Sequence, residues 1–257
     1  MVETYLVTGQ NARDDLHDKI DALNTSQVYR VSQYVDALTR SLFEGINPES
    51  SLVTTSWLEE FRSRIQAHHA VNIAPLTRTT FEDAFAAACE AAGSDTLKSE
   101  SATNRFWDIA VDHSYYSLKT TAAKNISHYY LHISKLTEAA WIQDQRTASG
   151  RRDKTLELFH EFRYQVKSIF MLRGFKNDDL TVSRYELVEI PGTLFDPIFQ
   201  VPVTEFNADG PKIKLPYGSI TPDLEIRIDR SDAKVTIGQI QRESCIVHGT
   251  WDFPPAA

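Results

Sequence analysis

The chain contains few cysteines and no long apolar run, and each shortage excludes a class of protein. Two cysteines, Cys89 and Cys245, cannot form the disulfide framework of a small secreted domain, and we expect free thiols. No apolar run approaches the roughly 20 residues that a membrane-spanning helix needs. The N-terminus has no basic segment followed by an apolar one, so no export signal is expected. The sequence predicts a cytoplasmic protein without a membrane partner.

Basic residues are also in the minority, with 27 Lys and Arg against 35 Asp and Glu and a net charge of −8. On its face this balance argues against a nucleic-acid partner. The charge is uneven, however: residues 115–185 contain twelve Lys and Arg against seven Asp and Glu, whereas residues 1–100 contain eight against fifteen. The local surplus is either a solvated helix face or a groove that faces phosphates, and composition leaves both open.

The first part of the chain, residues 1–78, is predicted to be helical. Apolar residues recur there at spacings of three and four, as on one face of a helix: Val28, Val31, Tyr34, Val35, Leu38 and Leu42. Residues 45–51 resemble a loop, and a further helix is expected over residues 56–71. The segment Thr79-Thr80-Phe81-Glu82 then predicts a capped helix start, and Gly93 a helix end.

From Phe106 the pattern changes to alternating strands and helices. The pattern predicts two strands, residues 106–111 and 115–121, joined by a turn at residues 112–114. A helix is expected from Ser127 to about Asp144, and an amphipathic helix follows the Gly-Arg-Arg segment near residue 150. Residues 169–175 and 185–190 resemble buried strands. The predicted fold is α/β, with a mixed sheet sandwiched by helices.

The last part of the chain, residues 191–257, is predicted to be β-rich and packed on the core. Short strands are expected at residues 197–203, 212–218, 224–229, 234–240 and 245–251, with turns at residues 209–210 and 230–232. We therefore expect three regions: a helical region (1–78), a core of alternating strands and helices (79–190) and a β-rich region (191–257).

The chemistry is expected in the hairpin of residues 106–121, where Asp108 and Lys119 lie on adjacent strands. Hydrolysis of a phosphodiester bond needs a metal ion that activates water and a cation near the scissile phosphate. Mg²⁺ prefers carboxylates, water and phosphate oxygens as ligands. An Asp and a Lys side by side supply these parts, although a structural Asp–Lys pair is the alternative.

The segment FWDIAVDHSYYSLKTTAAKN (106–125) resembles the catalytic hairpin of the PD-(D/E)xK nuclease superfamily, especially type II restriction endonucleases. In that family an Asp on one strand is followed by an acidic residue, any residue and a Lys on the next. Asp108 matches the Asp and Lys119 the Lys, while Trp107 replaces the usual Pro. The resemblance covers residues 79–190 and implies a bacterial or archaeal restriction endonuclease that uses Mg²⁺.

The chain departs from the family pattern at Ser117, which stands in place of the middle acid. Some restriction enzymes with S-x-K recruit a Glu from the helix after the hairpin, and the resemblance therefore implies Glu138 as a metal ligand. A surface pair with Lys135 is the alternative for Glu138. The family often has a further Glu on the helix before the hairpin, and Glu82 matches it best, with Glu100 as its rival.

The resemblance implies double-stranded DNA as substrate and a homodimer with one active site per strand. It also implies that residues 79–190 are the catalytic core and that the helical region, residues 1–78, dimerises or contacts DNA. The residues that recognise the DNA base sequence are expected in loops of the β-rich region or in the N-terminal helices. The expected phosphate contacts are the basic residues after the hairpin: Lys124, Lys135, Arg146, Arg151, Arg152 and Lys154.

We therefore predict a Mg²⁺-dependent type II restriction endonuclease in which Asp108 and Lys119 are catalytic and Asp108, Glu138 and Glu82 are candidate metal ligands. Three alternatives remain open at this stage. They are a repair or mobile-element nuclease of the same fold, a DNA-binding module without catalysis, and a protein that binds another protein and uses the Asp–Lys pair only structurally.

Overall fold

The computed structural model describes residues 9–99, 105–229 and 233–254. The α-helices of these segments are α1 (Gly9–Asp21), α2 (Thr25–Thr39), α3 (Thr55–Val71), α4 (Arg78–Ala91), α5 (Ala140–Gln143) and α6 (Ala148–Gln165). The first strands are β1 (Phe43–Ile46), β2 (Thr96–Lys98), β3 (Ile109–Val111), β4 (Ser114–Thr121), β5 (Tyr130–Glu138), β6 (Ser168–Lys176) and β7 (Val182–Pro191). The remaining strands are β8 (Lys212–Leu215), β9 (Leu224–Asp229), β10 (Lys234–Gln241) and β11 (Ile246–Asp252).

A seven-stranded sheet forms the centre of the protein, in the order β1-β11-β7-β6-β4-β3-β2. Strands β4 and β6 are parallel, and the other neighbours in this sheet are antiparallel. The predicted mixed sheet and the α/β class are therefore confirmed. The expected buried strands after the hairpin correspond to β6 and β7, and the expected amphipathic helix corresponds to α6.

Both faces of the central sheet are covered, which explains why β6 is almost wholly apolar. Ile169 and Met171 enter a core that contains α6 and the second sheet. Phe170 and Leu172, which alternate with them, enter a core that contains α3 and α4. The β3–β4 hairpin, which carries the predicted catalytic pair, joins β6 through β4 and is therefore fixed to a strand whose first seven residues are buried.

The second sheet has four strands, in the order β5-β10-β9-β8. The helix predicted from residue 127 to 144 is wrong, because this stretch forms β5 and only the short α5. Leu131 and Ile133 pair with Ile240 and Ile237 of β10 and are buried in the core. Since β10 lies about a hundred residues further along the chain, no local pattern could reveal this pairing.

Two further predictions are corrected by long-range contacts and by proline. The loop expected at residues 45–51 is partly strand β1, which pairs with β11 at the sheet edge. The strand expected at residues 197–203 is instead a pair of 3-10 segments, Gly192–Gln200 and Val203–Phe206. Pro197 and Pro202 lack an N–H donor, which disfavours a place in a strand ladder.

Helix α4 begins at Arg78, slightly before the segment of residues 79–82 in which the sequence predicted its start. Thr77 is the N-cap, and its side chain and that of Thr80 form a reciprocal capping box. Gly93 follows the helix with φ +89°, a left-handed conformation in which glycine is unstrained, and so ends it as predicted. This start brings Arg78 into the first helical turn, close to the hairpin.

The three regions expected from the sequence share one sheet, because β1, the core strands and β11 are all members of it. The division at residues 78 and 190 stays a prediction. Among the described residues, no helix is both long enough and apolar enough to cross a membrane.

Candidate active site

The β3–β4 hairpin positions the predicted catalytic pair. Asp112 and His113 in its turn have positive φ values of 45° and 64°, as in the type I′ turn whose twist matches that of paired strands. The ladder ends where Ile109 pairs with Tyr116. One residue further, the amide of Asp108 donates to the Tyr116 carbonyl at 2.9 Å, so Asp108 lies directly beside the continuing strand β4.

The Asp108 carboxylate is buried and densely hydrogen-bonded, with 7% of its side chain exposed. Its Oδ2 accepts the Ser117 hydroxyl at 3.0 Å and the Leu118 amide at 2.6 Å. The Leu118 amide lies beyond the end of the β3–β4 ladder, so the carboxylate takes the place of a strand partner. Oδ1 accepts from the Arg78 guanidinium. The sequence departure at Ser117 thus supplies a donor that orients Asp108.

Lys119 lies on the same side of the hairpin, with Nζ 3.6 Å from Asp108 Oδ2. At this distance the two groups form an ion pair, but they are too far apart for a hydrogen bond. Only 19% of the Lys119 side chain is exposed. Burial lowers the pKa of Lys119; the Asp108 carboxylate opposes that effect, and the Arg78 guanidinium adds to it. The two predicted catalytic residues are therefore brought together, and the lysine is easier to deprotonate than one in water.

Arg78 connects two carboxylates from different elements, and the sequence prediction missed it. Its Nε donates to Glu82 Oε1 at 2.7 Å, while Nη2 donates to Asp108 Oδ1. Glu82 is on α4, 24% exposed, and Asp108 precedes β3. The i,i+4 spacing of Arg78 and Glu82 was visible in the sequence, but it is common on helix surfaces. The contact with Asp108 spans 30 residues and has no sequence signal.

A cleft of about 480 Å³ opens in front of this group. Its lining residues come from α4, the hairpin, β5 and α5: Arg78, Arg105, Phe106, Asp108, Lys119, Lys135, Leu136, Thr137, Glu138 and Trp141. Arg105, also missed by the sequence prediction, has its guanidinium carbon 3.9 Å from the centre of the Trp141 ring and Nη1 2.6 Å from Glu161. The cleft therefore combines cations, carboxylates and a flat aromatic surface.

Glu138 reaches this cleft from an element that was not predicted. It ends β5 rather than belonging to a helix, and its exposed carboxylate accepts from Lys135 at 2.7 Å. The hydrogen bond from Lys135 lowers the pKa of Glu138. Glu138 thus lines the same cleft as Asp108 and Lys119, although the expected surface pair with Lys135 is also present. Glu100, the rival of Glu82, lies outside the described residues.

A family model described as SmaI, type II site-specific deoxyribonuclease, matches residues 16–253. This chain belongs to that family. It is 34% identical over 206 residues to the type II restriction enzyme SmaI of Serratia marcescens, a match that covers 76% of this chain and 79% of the relative. No solved structure matches the chain.

The family decides between the functions that the sequence left open. This restriction endonuclease is a sequence-specific phosphodiester hydrolase whose substrate is double-stranded DNA, as the resemblance implied. The family rejects the three alternative hypotheses, which were a repair or mobile-element nuclease, a DNA-binding module without catalysis and a protein-binding module. Because the family match runs from α1 into the last residues of the described chain, both the helical and the β-rich regions belong to the enzyme.

Type II restriction enzymes as a class use a divalent metal ion, and the carboxylates in and beside this cleft suit one. Asp108 and Glu138 line the cleft, whereas Glu82 adjoins it through Arg78. Asp108 and Glu82 each place an oxygen on the same edge of the Arg78 guanidinium, so a single cation already lies between them. Carboxylate oxygens are the ligands that Mg²⁺ prefers, with water and phosphate completing its shell. Within the described ranges, no group of three or more His, Cys, Asp or Glu residues could hold a metal ion. The protein thus offers a partial shell.

The basic residues predicted to touch DNA fall into two groups. Lys124 and Arg146 are exposed, in the β4–β5 connection and before α6. Lys135 lies in the cleft, and Lys154 pairs with Glu157 on the surface of α6. These four ammonium and guanidinium groups are all at the surface, where a phosphate can reach them.

Arg151 and Arg152 have local partners instead. Arg151 is buried, and its guanidinium donates to the carbonyl oxygens of Phe206, Gln145 and Asn207. Arg152 donates from Nε to the Val201 carbonyl at 2.9 Å. Both arginines therefore attach α6 to the irregular segment that follows β7, a role that the sequence prediction did not consider.

Proposed function

We propose that this restriction endonuclease cleaves DNA with Mg²⁺ held by Asp108 and a second carboxylate, beside Lys119. The supporting observation is that Arg78 joins Glu82 of α4 to Asp108, and that Asp108 lies beside Lys119 in the cleft. A structural ion pair would not require a half-exposed cation shared by two carboxylates from separate elements. The arrangement also matches the Asp and Lys of the PD-(D/E)xK hairpin, which we propose as the catalytic motif.

Glu82 is our first choice for the second carboxylate. It shares the Arg78 guanidinium with Asp108, and its charge also acts on Lys119. Glu138 lines the same cleft and is the alternative. It is more exposed than Glu82, and its partner is Lys135 rather than a group bound to Asp108. The serine at position 117 donates to Asp108, so we propose that it orients this ligand instead of binding the metal.

When bound, the metal ion would lower the pKa of a water molecule and neutralise charge on the scissile phosphate. Lys119 would orient or help to deprotonate that water, because its lowered pKa eases release of its proton. Asp108 would keep the reacting groups in position, since Ser117 and Leu118 fix the orientation of its carboxylate. Burial of the pair strengthens these interactions relative to water.

Phosphate contacts would come first from Lys135 in the cleft and from Lys124, Arg146 and Lys154 at the surface. These cations would position the duplex without reading its sequence. Arg151 and Arg152, whose guanidinium groups already have backbone partners, would support α6 instead. The overall acidic charge of the chain would at the same time weaken non-specific binding to DNA.

The proposal is tested by incubating the protein with unmethylated phage DNA, with Mg²⁺ or with EDTA, beside Asp108→Ala and Lys119→Ala. Discrete fragments that require Mg²⁺ and disappear in both variants are expected. Fragments that persist in EDTA would exclude metal-dependent cleavage. Fragments that persist in Asp108→Ala would exclude this hairpin as the active site, while the family assignment would stand.

We further propose that the enzyme is a homodimer whose interface includes α2. Two active sites can cut both strands of a duplex in one binding event, and a two-fold symmetric pair of chains provides them. A stripe of apolar residues on α2 is exposed in the single chain: Val28, Tyr34, Val35 and Leu38. Exposed apolar stripes of this kind are typical of interaction surfaces. A second copy is the occupant that the reaction requires.

The dimer is tested by sedimentation of the wild type and of Val35→Asp, with Ile220→Asp as the control. Val35 lies in the stripe, whereas Ile220 is equally apolar and 98% exposed elsewhere. We expect a dimer for the wild type and the control, and a monomer for Val35→Asp. A dimer in all three would place the interface elsewhere, and a monomeric wild type would contradict the dimer itself.

A further inference from the structure

Arg78 lies between the two carboxylates that are proposed to hold the metal ion. One planar edge of its guanidinium, formed by Nε and Nη2, binds Glu82 and Asp108 at the same time. Arginine presents its donors in a rigid fork that usually grips the two oxygens of one carboxylate. Here the two oxygens come from α4 and from the residue before β3. The guanidinium is therefore a cation at the point where two separate acids converge.

The surroundings of Arg78 differ from those of the acids it binds. Its side chain is 60% exposed, whereas Asp108 and Glu82 are largely buried. Asp108 is held by the fold, because it also accepts from Ser117 and Leu118. Arg78 is long and solvated, so it can leave while these two donors keep Asp108 in place. An exposed cation bound to a buried, well-fixed carboxylate can be displaced from it by another cation.

We propose that Arg78 competes with the catalytic metal ion for Asp108 and Glu82, and that the duplex relieves this competition. The inference rests on the proposed metal site. Both cations need the same carboxylate oxygens, so binding of one excludes the contacts of the other. Because Arg78 also lines the cleft, a DNA phosphate there gives its guanidinium another partner. DNA binding then raises metal affinity, and by linkage the metal raises DNA affinity.

This coupling would restrain the nuclease in the absence of substrate. Without DNA, the two acids are neutralised by a residue of the chain, and metal binding is weak. With DNA, the freed guanidinium stays at the phosphate and adds positive charge where negative charge develops in the transition state. Arg78 is thus a positioning residue in the free enzyme and a phosphate contact in the complex.

The test measures Mn²⁺ binding to the whole protein without DNA, from the electron paramagnetic resonance signal of free Mn²⁺. Arg78→Met removes the charge and keeps the length of the side chain, and Arg78→Lys keeps the charge without the planar fork. We expect Arg78→Met to bind Mn²⁺ about tenfold more tightly than the wild type, as loss of a competing pair of partly exposed contacts allows. Arg78→Lys should fall between them.

Arg64→Met is the matched control, because Arg64 makes the same i,i+4 contact with Glu60, also at 2.7 Å, on α3 away from the cleft. It changes the net charge equally and should leave Mn²⁺ affinity unchanged. Adding Asp108→Asn to Arg78→Met should abolish the gain, which locates the ion. Circular dichroism spectra of all variants should match that of the wild type.

Equal Mn²⁺ affinity in the wild type and Arg78→Met would overturn the competition while leaving the metal site in place. The same gain in Arg64→Met would overturn it as well, because it would reflect net charge alone. No binding to Arg78→Met up to millimolar Mn²⁺ would likewise refute it. The proposed function would then be judged separately, by whether cleavage of phage DNA needs Mg²⁺ and Asp108.

Discussion

Two charge clusters at the central sheet each surround one carboxylate with two cations but differ in character. Each consists of one carboxylate and two cations: Asp108 with Arg78 and Lys119, the cleft cluster, and Glu186 with Arg173 and Arg242, the strand cluster. In the strand cluster, Arg173 of β6 lies directly opposite Glu186 of β7, and both are buried. Arg242 donates twice to Glu186 Oε2, at 2.9 and 2.6 Å.

The strand cluster is saturated, and the cleft cluster is not. The second Arg173 nitrogen donates to the Ser127 carbonyl, so the buried guanidinium also fixes the β4–β5 connection. In the cleft cluster, by contrast, Lys119 stands 3.6 Å from its acid and Arg78 is largely exposed. The lysine can lose its proton when its partner is removed, whereas an arginine cannot. The same three charges therefore stabilise the fold at one place and remain available for chemistry at the other.

The largest expected effect is the loss of cleavage in Asp108→Asn. Removing the proposed metal ligand forfeits several kcal/mol of transition-state stabilisation, so the single-turnover rate should fall by about a thousandfold or more. The free energy of unfolding should fall by only about 1–2 kcal/mol, since Lys119 can deprotonate and the amide oxygen still accepts from Leu118. A loss of stability as large as the one expected for Glu186→Gln in the strand cluster would contradict the difference between the two clusters.

Glu186→Gln should have the opposite profile. It removes the counter-charge of the buried Arg173 guanidinium, which cannot lose its proton. The free energy of unfolding should therefore fall by about 3–5 kcal/mol. Thermal and urea denaturation followed by circular dichroism measure this loss. Glu157→Gln, which breaks an exposed pair with Lys154, should change stability by less than about 1 kcal/mol. Cleavage per folded molecule should be preserved in Glu186→Gln, and its loss would assign the strand cluster a part in catalysis.

Lys119→Met should reduce the single-turnover rate by about 10²–10³, the effect of removing one charged group at the reacting phosphate. Stability should change by less than about 1 kcal/mol, because the buried ammonium is itself destabilising where burial lowers its pKa. Lys119→Arg separates charge from proton transfer, since arginine keeps the charge but cannot act as a base. A fall of less than tenfold in Lys119→Met would return this residue to a structural role.

The cleft cluster also shows how far the sequence alone could lead. The hairpin was predictable because its information is local: alternating residues, a turn at residues 112–114 and an Asp and Lys on adjacent strands. Arg78 was not, because its contact with Asp108 depends on where α4 begins relative to β3. Neither sequence periodicity nor spacing encodes that distance.

The same limit explains the error at β5. Leu131, Ile133 and Leu136 are spaced by two and three residues, which suits a bulged strand and one face of a helix alike. Only pairing with β10 decides between them, and that strand is distant in sequence. Glu138 was nevertheless predicted to lie near the site, because the family resemblance implies a Glu from the element that follows the hairpin. The prediction that Glu138 lies near the hairpin thus did not depend on whether a helix or a strand carries it.

The smallest effect separates the two candidates for the second carboxylate. Glu82→Gln should slow single-turnover cleavage by about ten- to a hundredfold, because a neutral amide is a weaker metal ligand while water can partly replace it. Glu138→Gln should slow it by less than about threefold if its role is the exposed pair with Lys135, which is worth under 1 kcal/mol. Raising the Mg²⁺ concentration should restore much of the Glu82→Gln rate, as expected for weakened metal binding. The reverse ranking would assign the second ligand to β5 and would leave Glu82 as a partner of Arg78 alone, so that the metal ion and the arginine would compete only for Asp108.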